Sequence, residues 1–421
     1  MMSDGFQPFL DALGTPPIDA LGALRLQARE RFAGSGFPTR RNEAWKFTEL
    51  RPLVETRFAP SVAGEAGELP TLAQSDRLVF VNGRFSAAQS HIGDLPEGVV
   101  LGSFADWARR NPEAAGSVFD LGGGADRAFL SLNAAFVSDG VVLIVPEGVQ
   151  LERRVHIVHW SQAEAAASSH VKHVIRLGRA AAATVIESFG GTGGYWSNVS
   201  ETVEVGDLAR LGHYKLQNEG AEAFHTAHLA ANIGKGGHYD GFLLNLGGRL
   251  ARQDVHAVLA GSHAFCGYSG AYLLGGRQEA AVNSLIQHSA PNGQTREVFK
   301  GCVADRAHGV FQGKILVDQV AQKTDAFQLN KTMLLSDRAV MDSKPELEIY
   351  ADDVKCSHGA TVGDLDETAL FYLRSRGIEP EAARRMLIEA FVVDAIELVE
   401  DEITRAYLIE ATAHWLQARK D

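Results

Sequence analysis

Four short apolar runs in the middle of the chain each end in a glycine, and they recur at a nearly constant interval. The glycines are Gly178, Gly206, Gly234 and Gly261, which gives intervals of 28, 28 and 27 residues without a helical pattern between them. Strand-sized runs at such a period are typical of stacked solenoid coils, because one coil cannot bury its apolar face alone. The recurrence therefore favours a parallel β-helix, which would make the protein mainly β.

The other fold compatible with these runs is a β-sandwich. Sandwich strands return roughly every 8 to 12 residues, and two or three strands per coil would give a similar spacing. A looser recurrence, residues 304–307 against residues 336–339, is offset by 32 residues and extends the coil-length period. The period favours the β-helix, and the sandwich stays open on these residues alone.

The N-terminal flank shows a helical pattern followed by a hairpin pattern. Thr15 as N-cap, Pro16 as the first helical residue and Gly34 as the stop predict one amphipathic helix. Farther along, Asn82-Gly83 lies between two short apolar runs, which is the strongest short hairpin pattern. We therefore expect helices first and then a tight two-residue turn.

The C-terminal flank is predicted to be a helical bundle. Asp364 or Asp366 can cap a first helix that stops at Gly377, and Pro380 opens a second helix. A third apolar stripe extends to Trp415. The acidic run between the last two helices is predicted to be a solvated face and not a metal site. This run consists of Glu397, Glu400, Asp401 and Glu402.

These patterns divide the chain into three predicted regions. They are a mostly helical region 1–135, a parallel β-helix 136–360 and a C-terminal helical bundle 361–421. The last coil of a β-helix presents unpaired N–H and C=O groups, and such an edge recruits other chains unless something covers it. A partner with a matching coil would continue the ladder by strand addition.

Charge and composition exclude several classes of function. A net charge of -12 and a pI near 5.7 argue against nucleic-acid binding, which needs a basic surface. No run approaches the roughly 18 apolar residues of a membrane span, so no membrane contact is expected. Three scattered cysteines without a Cys-x-x-Cys pair fit a reducing compartment, and we expect a cytoplasmic protein. Dinucleotide, phosphate-loop and zinc-helix motifs are missing, which disfavours the standard cofactor enzymes.

Residues 355–361 read Lys-Cys-Ser-His-Gly-Ala-Thr and lie where the apolar runs give way to helical patterns. If residues 348–358 form an extended strand, Cys356 and His358 lie on one face and Ser357 lies on the other. A thiol and an imidazole would then point at the same spot. On these residues alone, a packed or hydrogen-bonded pair is the favoured interpretation.

Three blocks carry a resemblance to a known family. Residues 41–48 read Arg-x-Glu-x-Trp-Lys-Phe-Thr, residues 353–361 read Asp-Val-Lys-Cys-Ser-His-Gly-Ala-Thr, and residues 370–377 read Leu-Phe-Tyr-Leu-Arg-Ser-Arg-Gly. Together with the β-helical middle, these blocks closely resemble the SufB/SufD family of iron–sulfur cluster assembly scaffolds. The sister branch carries His-Glu-Ala-Thr where this chain has His-Gly-Ala-Thr from His358 onward, so the resemblance is to the SufD branch.

This resemblance implies a fold, partners and a site. The fold is a right-handed parallel β-helix between helical termini, which pairs with SufB through the β-helix end and docks the ATPase SufC through the C-terminal helices. The resemblance further implies a scaffold without enzymatic turnover, a transient iron–sulfur cluster instead of a tightly bound cofactor, and a possible homodimer in isolation. His358 matches a histidine at the junction with SufB that is implicated in building the nascent cluster, and Cys356 matches a neighbouring thiol of less certain role.

Two enzyme hypotheses remain as alternatives. A β-helix polysaccharide-processing enzyme needs a groove of carboxylates or basic groups on its flank, often with a secretion signal, and neither stands out. A nucleophilic pair formed by Cys356 and His358 lacks an evident third residue to orient it. Both hypotheses are therefore weaker than the scaffold.

Overall fold

The structure is a computed structural model that describes residues 6–121 and 124–418. Its centre is a parallel β-helix of about eight coils, and helices lie at both ends of the chain. The β-helix expected from the glycine recurrence is confirmed over the sandwich, because the coil strands pair in parallel with the strands one coil away. No helix among the described residues is long and apolar enough to cross a membrane.

The strands form two stacks, one on each side of a shared interior. In chain order they are β1 Ala59–Pro60, β2 Ser75–Val81, β3 Arg84–Phe85, β4 Val100–Ser103, β5 Val141–Val145, β6 Arg154–Leu177, β7 Ala182–Val205, β8 Arg210–Glu219, β9 Phe224–Ile233, β10 His238–Asn245, β11 Leu250–Leu259, β12 Phe265–Leu274, β13 Glu279–His288, β14 Gln294–Val303, β15 His308–Val317, β16 Asp325–Leu334, β17 Val340–Ile349 and β18 Lys355–Gly363. The even-numbered strands from β8 to β18 form one stack, and the odd-numbered strands from β9 to β17 form the other. The long strands β6 and β7 contribute to both stacks.

The helices cover the first coils and one outer face. They are α1 Gln7–Leu13, α2 Gly22–Ser35, α3 Arg51–Glu55, α4 Phe104–Arg110, α5 Pro112–Ser117, α6 Ala128–Phe136, α7 Glu367–Arg374, α8 Pro380–Ile396 and α9 Glu402–Ala418, with short 3-10 turns at Glu43–Trp45 and Ala125–Arg127. Helices α7 to α9 share an apolar cluster with outward-facing side chains of the even-numbered stack. The C-terminal bundle is therefore attached to the flank of the β-helix.

The recurrent glycines mark a corner where successive coils run very close together. The N–H of Gly206 donates to the carbonyl of Leu177, one coil earlier, at 2.9 Å. A Cβ atom on Gly206 would lie 2.7 Å from that carbonyl oxygen, and one on Gly261 would lie 2.1 Å from the amide nitrogen of Lys235. The glycines recur because the neighbouring backbone leaves no room for a side chain.

The predicted start of the N-terminal helix at Thr15 is wrong. Helix α2 begins only at Gly22. The carboxylate of Asp19 accepts a hydrogen bond from the N–H of Leu21 at 2.9 Å and pairs with Arg25 at 2.7 Å. This ion pair across the turn organises the entry to the helix, which a local capping pattern cannot anticipate.

Two other turns near the N-terminus can be compared with the sequence. Helix α2 continues past Gly34, and Gly36 follows its last residue with a φ of 66°. The hairpin at Asn82-Gly83 is confirmed, since both residues have positive φ, 51° and 73°, and β2 pairs antiparallel with β3 around them. The hairpin turn therefore lies at the predicted residues, whereas the helix extends one residue beyond the predicted stop at Gly34.

The order of caps in the C-terminal bundle follows the prediction. Asp366 accepts hydrogen bonds from the N–H groups of Thr368 and Ala369 at 2.8 and 3.1 Å, and α8 begins at Pro380. Gly377 has a φ of 83° between the two helices. The sequence offered Asp364 and Asp366 as caps, and the structure shows that Asp366 is the cap.

The acidic run between α8 and α9 does not form a uniformly solvated face. Asp401 pairs with Arg154 of β6 at 2.6 Å, with both side chains largely buried. Glu400 pairs with Arg210 at 3.3 Å and with His238 at 3.1 Å. The interpretation as a solvated face is therefore wrong for Asp401, which fastens the bundle to the β-helix, whereas Glu400 forms its ion pairs at the surface and is exposed.

We expect Asp401→Ala to lower the free energy of unfolding by about 2 kcal/mol. Its carboxylate holds Arg154 and also caps α9, since it accepts from the N–H and the hydroxyl of Thr404 at 2.8 and 2.7 Å. Urea unfolding followed by circular dichroism measures the change. Glu397→Ala is the matched control, because Glu397 is exposed on the same acidic run. Equal unfolding midpoints for the two variants would contradict the stabilising role assigned to Asp401.

Candidate functional site at the end of the β-helix

The last coil of the β-helix ends in two strands with open edges. Strand β17 pairs with β15 and strand β18 pairs with β16. Among the described residues, neither strand has a ladder partner on its other side. The unpaired edge expected from the fold is therefore present at this end.

Cys356 and His358 both lie on β18. The single extended strand considered over residues 348–358 is not present, because β17 ends at Ile349 and β18 begins at Lys355 after a turn. In the parallel register, Cys356 is the neighbour of Ala326 and His358 is the neighbour of Gln328. Side chains in register point the same way, and both neighbours are fully buried in the interior. The two candidate residues therefore share the face that looks into the end of the β-helix.

The two side chains differ in their surroundings. Cys356 is half-buried and packs against an apolar cluster that includes Val317 and Ala351. Burial raises the pKa of its thiol above the ordinary value, so the free thiol is protonated at neutral pH. His358 is exposed. The imidazole is therefore more accessible to an incoming group than the thiol.

A buried carboxyl group that the sequence pattern did not single out lies two strands below β18 in the same stack. Glu297 of β14 is fully buried and accepts hydrogen bonds from Gln328 at 2.6 Å and from Ser284 at 2.5 Å. No salt bridge to Glu297 occurs within residues 6–121 and 124–418. Burial raises the pKa of this carboxyl to about 7. The alternation of β14 could have placed Glu297 inside, because Thr295 and Phe299 flank it at the two-residue period.

Glu297→Gln is expected to remove the part of the pH dependence of the free energy of unfolding that this carboxyl causes. The folded carboxyl keeps its proton up to about pH 7, whereas the unfolded one loses it near 4.5, so the free energy of unfolding falls as pH rises between these values. A shift of this size corresponds to roughly 3 kcal/mol. Urea unfolding at pH 4.5 and pH 8 should therefore show the variant gaining stability over the parent only at pH 8. A difference in the free energy of unfolding between variant and parent that is the same at both pH values would contradict the raised pKa.

A second buried polar cluster lies deeper in the interior. Glu187, Glu201 and His213 offer oxygen and nitrogen atoms within 4.8 Å of one another, which is a geometry for a metal ion. The ammonium group of Lys215, however, hydrogen-bonds to Glu201 and lies 3.6 Å from Glu187. Burial opposes ionisation of Glu187, but the charge of Lys215 lowers its pKa well below the ordinary value. The cluster is an ion network in which lysine supplies the cation.

Apolar side chains are exposed in two places near the candidate site. Around the last coil, the exposed ones are Val340, Ile349, Tyr350 and Val362. On the C-terminal bundle, Phe371 and Tyr372 of α7 and Met386 of α8 are exposed. Large exposed apolar patches mark contact surfaces, which makes both places candidates for contacts with other chains.

Comparison with known proteins shows the family to which the chain belongs. The family model described as SUF system FeS cluster assembly, SufBD core domain, matches residues 159–391, and the model of the SufBD protein N-terminal region matches residues 4–157. The iron–sulfur cluster assembly protein SufD of Escherichia coli is 32% identical over 89% of this chain and 88% of its own length. An iron–sulfur cluster assembly SufBD family protein of Synechocystis is 31% identical over 90% and 85% of the two chains.

A SufBD family protein of Mycobacterium leprae is 28% identical over 95% of both chains. These matches extend over the helical N-terminus, the β-helix and the block that contains His358. The resemblance found in the sequence is confirmed. The chain belongs to the SufBD family of iron–sulfur cluster assembly proteins.

Proposed function

We propose that this chain is a non-enzymatic scaffold subunit of a cytoplasmic Suf complex, in which it pairs with SufB, docks the ATPase SufC and helps to form the nascent cluster. One observation carries the proposal: the open edge of the last coil holds an exposed histidine, His358. A matching β-helix end would satisfy the unpaired backbone groups and place its own ligands opposite this imidazole. The polysaccharide-processing alternative rested on the β-helix alone, and the family membership disfavours it.

The contact with SufB is assigned to the edges of β17 and β18. Ile349 ends β17 and Tyr350 follows it, both with exposed side chains, and Val362 is exposed near the end of β18. Strand addition would cover these side chains while it pairs the backbone. When SufB is scarce, a second copy of this chain could cover the same edge.

The nascent cluster is cargo that is built and released at this contact. Iron accepts imidazole and thiolate ligands, so His358 can supply one ligand and a partner cysteine another. The thiol of Cys356 has a raised pKa, so it would join only after iron favours its deprotonation. Incomplete ligation by any one chain keeps release easy, and no tightly bound cofactor is needed.

The contact with SufC is assigned to the C-terminal bundle. Phe371 and Tyr372 are exposed on neighbouring positions of α7, and the guanidinium of Arg376 lies 3.5 Å from the Tyr372 ring centre. This surface directly follows β18 in the chain. Movement of the bundle by an ATPase could therefore act on the edge that holds His358.

Anaerobic co-expression with SufB and SufC, followed by size-exclusion chromatography, tests the proposal. We expect all three chains to elute together, Ile349→Glu to lose SufB, and Phe371→Glu to lose SufC while it retains SufB. Val62→Glu is the matched control, because Val62 is an exposed apolar residue of the N-terminal region. Elution of this chain without either partner would reject the assignment.

A further inference from the structure

We propose that residues 43–49 form a brace that holds the terminal strand β17 in the position in which a partner β-helix pairs with it. This segment contains most of the N-terminal block Arg-x-Glu-x-Trp-Lys-Phe-Thr, which takes no part in the candidate site described above. The role in partner binding rests on the proposed function, whereas the effect of the brace on β17 can be measured in the isolated chain.

The brace is anchored to β11 by one buried arginine. The guanidinium of Arg252 donates to the carbonyl of Ala44 at 2.8 Å and to the hydroxyl of Thr48 at 2.9 Å. It also lies 3.6 Å from the ring centre of Trp45, which is a cation–π distance. Both Arg252 and Trp45 are almost fully buried. These contacts fix the backbone of the brace against the outer face of the odd-numbered stack.

From this anchor the brace reaches the last coil directly through Glu43. The carbonyl of Glu43 accepts a hydrogen bond from Nε2 of Gln312 on β15 at 3.1 Å. Its carboxylate pairs with the ammonium group of Lys344 on β17 at 2.6 Å. Gln312 and Lys344 are register neighbours on the two strands. One residue of the brace therefore contacts the last two strands of this stack.

A second series of contacts also connects the brace to β17. The N–H of Glu49 donates to the carboxylate of Glu279 on β13 at 2.9 Å. That carboxylate lies 3.7 Å from Nδ1 of His308 on β15, and Nε2 of His308 lies 2.8 Å from the carboxylate of Asp342 on β17. Asp342 and Lys344 are two residues apart, so both lie on the outer face of the strand. The two ends of the brace thus connect to the same face of β17.

Strand β17 depends on such contacts because, among the described residues, its ladder is with β15 alone. Segments with few neighbours open locally at a low free-energy cost. A partner that pairs with β17 binds only molecules in which the strand is in place, so its apparent affinity scales with that fraction. No hydrogen bond or ion pair joins the brace to β18 within residues 6–121 and 124–418. The brace therefore supports β17 selectively.

The first test is hydrogen–deuterium exchange in the isolated chain. Glu43→Lys replaces the ion pair with Lys344 by two like charges, so exchange of the β17 amides should rise by about fivefold, the upper range for an exposed pair. Exchange of the β18 amides should stay unchanged. Glu55→Lys is the matched control, because Glu55 is exposed on α3 and its side chain has no ion pair or hydrogen bond within the described residues. Unchanged exchange of β17 in Glu43→Lys would overturn the brace.

The second test is the affinity of the chain for SufB. Glu43→Lys should weaken binding by up to about fivefold, in proportion to the loss of molecules with β17 in place, and Glu55→Lys should not. Lys344→Glu should also weaken binding. Combining it with Glu43→Lys should recover part of the affinity, because the ion pair returns with reversed charges while Glu346 still faces a like charge. A double variant no better than Lys344→Glu alone would overturn the coupling through this pair.

The outcomes separate the brace from the proposed function. Faster exchange of β17 with unchanged affinity for SufB would overturn the role of the brace in partner binding. If the parent chain did not bind SufB, the proposed function would be rejected together with that role. The exchange measurement would still decide whether residues 43–49 hold β17 in place, because it needs no partner.

Discussion

Replacing His358 with alanine is expected to abolish cluster formation while the complex remains assembled. The imidazole is exposed on the open edge, so its removal takes away the proposed iron ligand without leaving a buried cavity. The apolar side chains assigned to the SufB contact remain in place. Iron and sulfide content of the anaerobically purified complex measures the loss, and size-exclusion chromatography measures assembly.

Two neighbours on the same strand sharpen this result. Ser357→Ala is the matched control, because Ser357 points to the opposite face of β18 and should leave iron and sulfide unchanged. Cys356→Ala should reduce them less than His358→Ala does, since its thiol is half-buried with a raised pKa. Normal iron and sulfide in the His358→Ala complex would contradict the assignment of the site.

Lys215→Met is expected to lower the free energy of unfolding by about 3 to 5 kcal/mol, the usual cost of leaving a buried charge without its partner. Its ammonium group is the cation that faces both Glu187 and Glu201, and both carboxylates are buried. Hydrogen bonds from neutral side chains cannot replace that charge. Urea unfolding at pH 7 measures the difference between the variant and the parent.

The pH dependence of this variant separates charge from packing. In the parent, the contribution of the ionised Glu187 is present above pH 4.5 and is lost as pH falls through its lowered pKa. In Lys215→Met the buried carboxylate of Glu187 loses this cation and can take up a proton, so the loss of stability relative to the parent should be smaller at pH 5 than at pH 7. Adding Glu187→Gln and Glu201→Gln to the variant should recover much of the stability. A deficit that is equal at both pH values would point to lost packing instead.

The sequence by itself determined the features that depend on neighbouring residues or on a strict period. The glycines from Gly178 to Gly261 predicted the β-helix, because each coil must leave space for the next at the same corner. Asn82-Gly83 predicted the hairpin, and the residues around Asp366 predicted the first C-terminal helix. The strand alternation around His358 placed it on one face with Cys356, since that period is set by the backbone alone.

Only the tertiary structure decided which polar side chains meet inside the β-helix. Gln328 and Glu297 are 31 residues apart, and Lys215 and Glu201 lie on opposite stacks, so no local pattern pairs them. The same holds for Asp401, which reads as part of an acidic surface until Arg154 of β6 is placed beside it. A solenoid brings residues about one coil apart into contact, and the partner of a buried charge is therefore set by the register between coils.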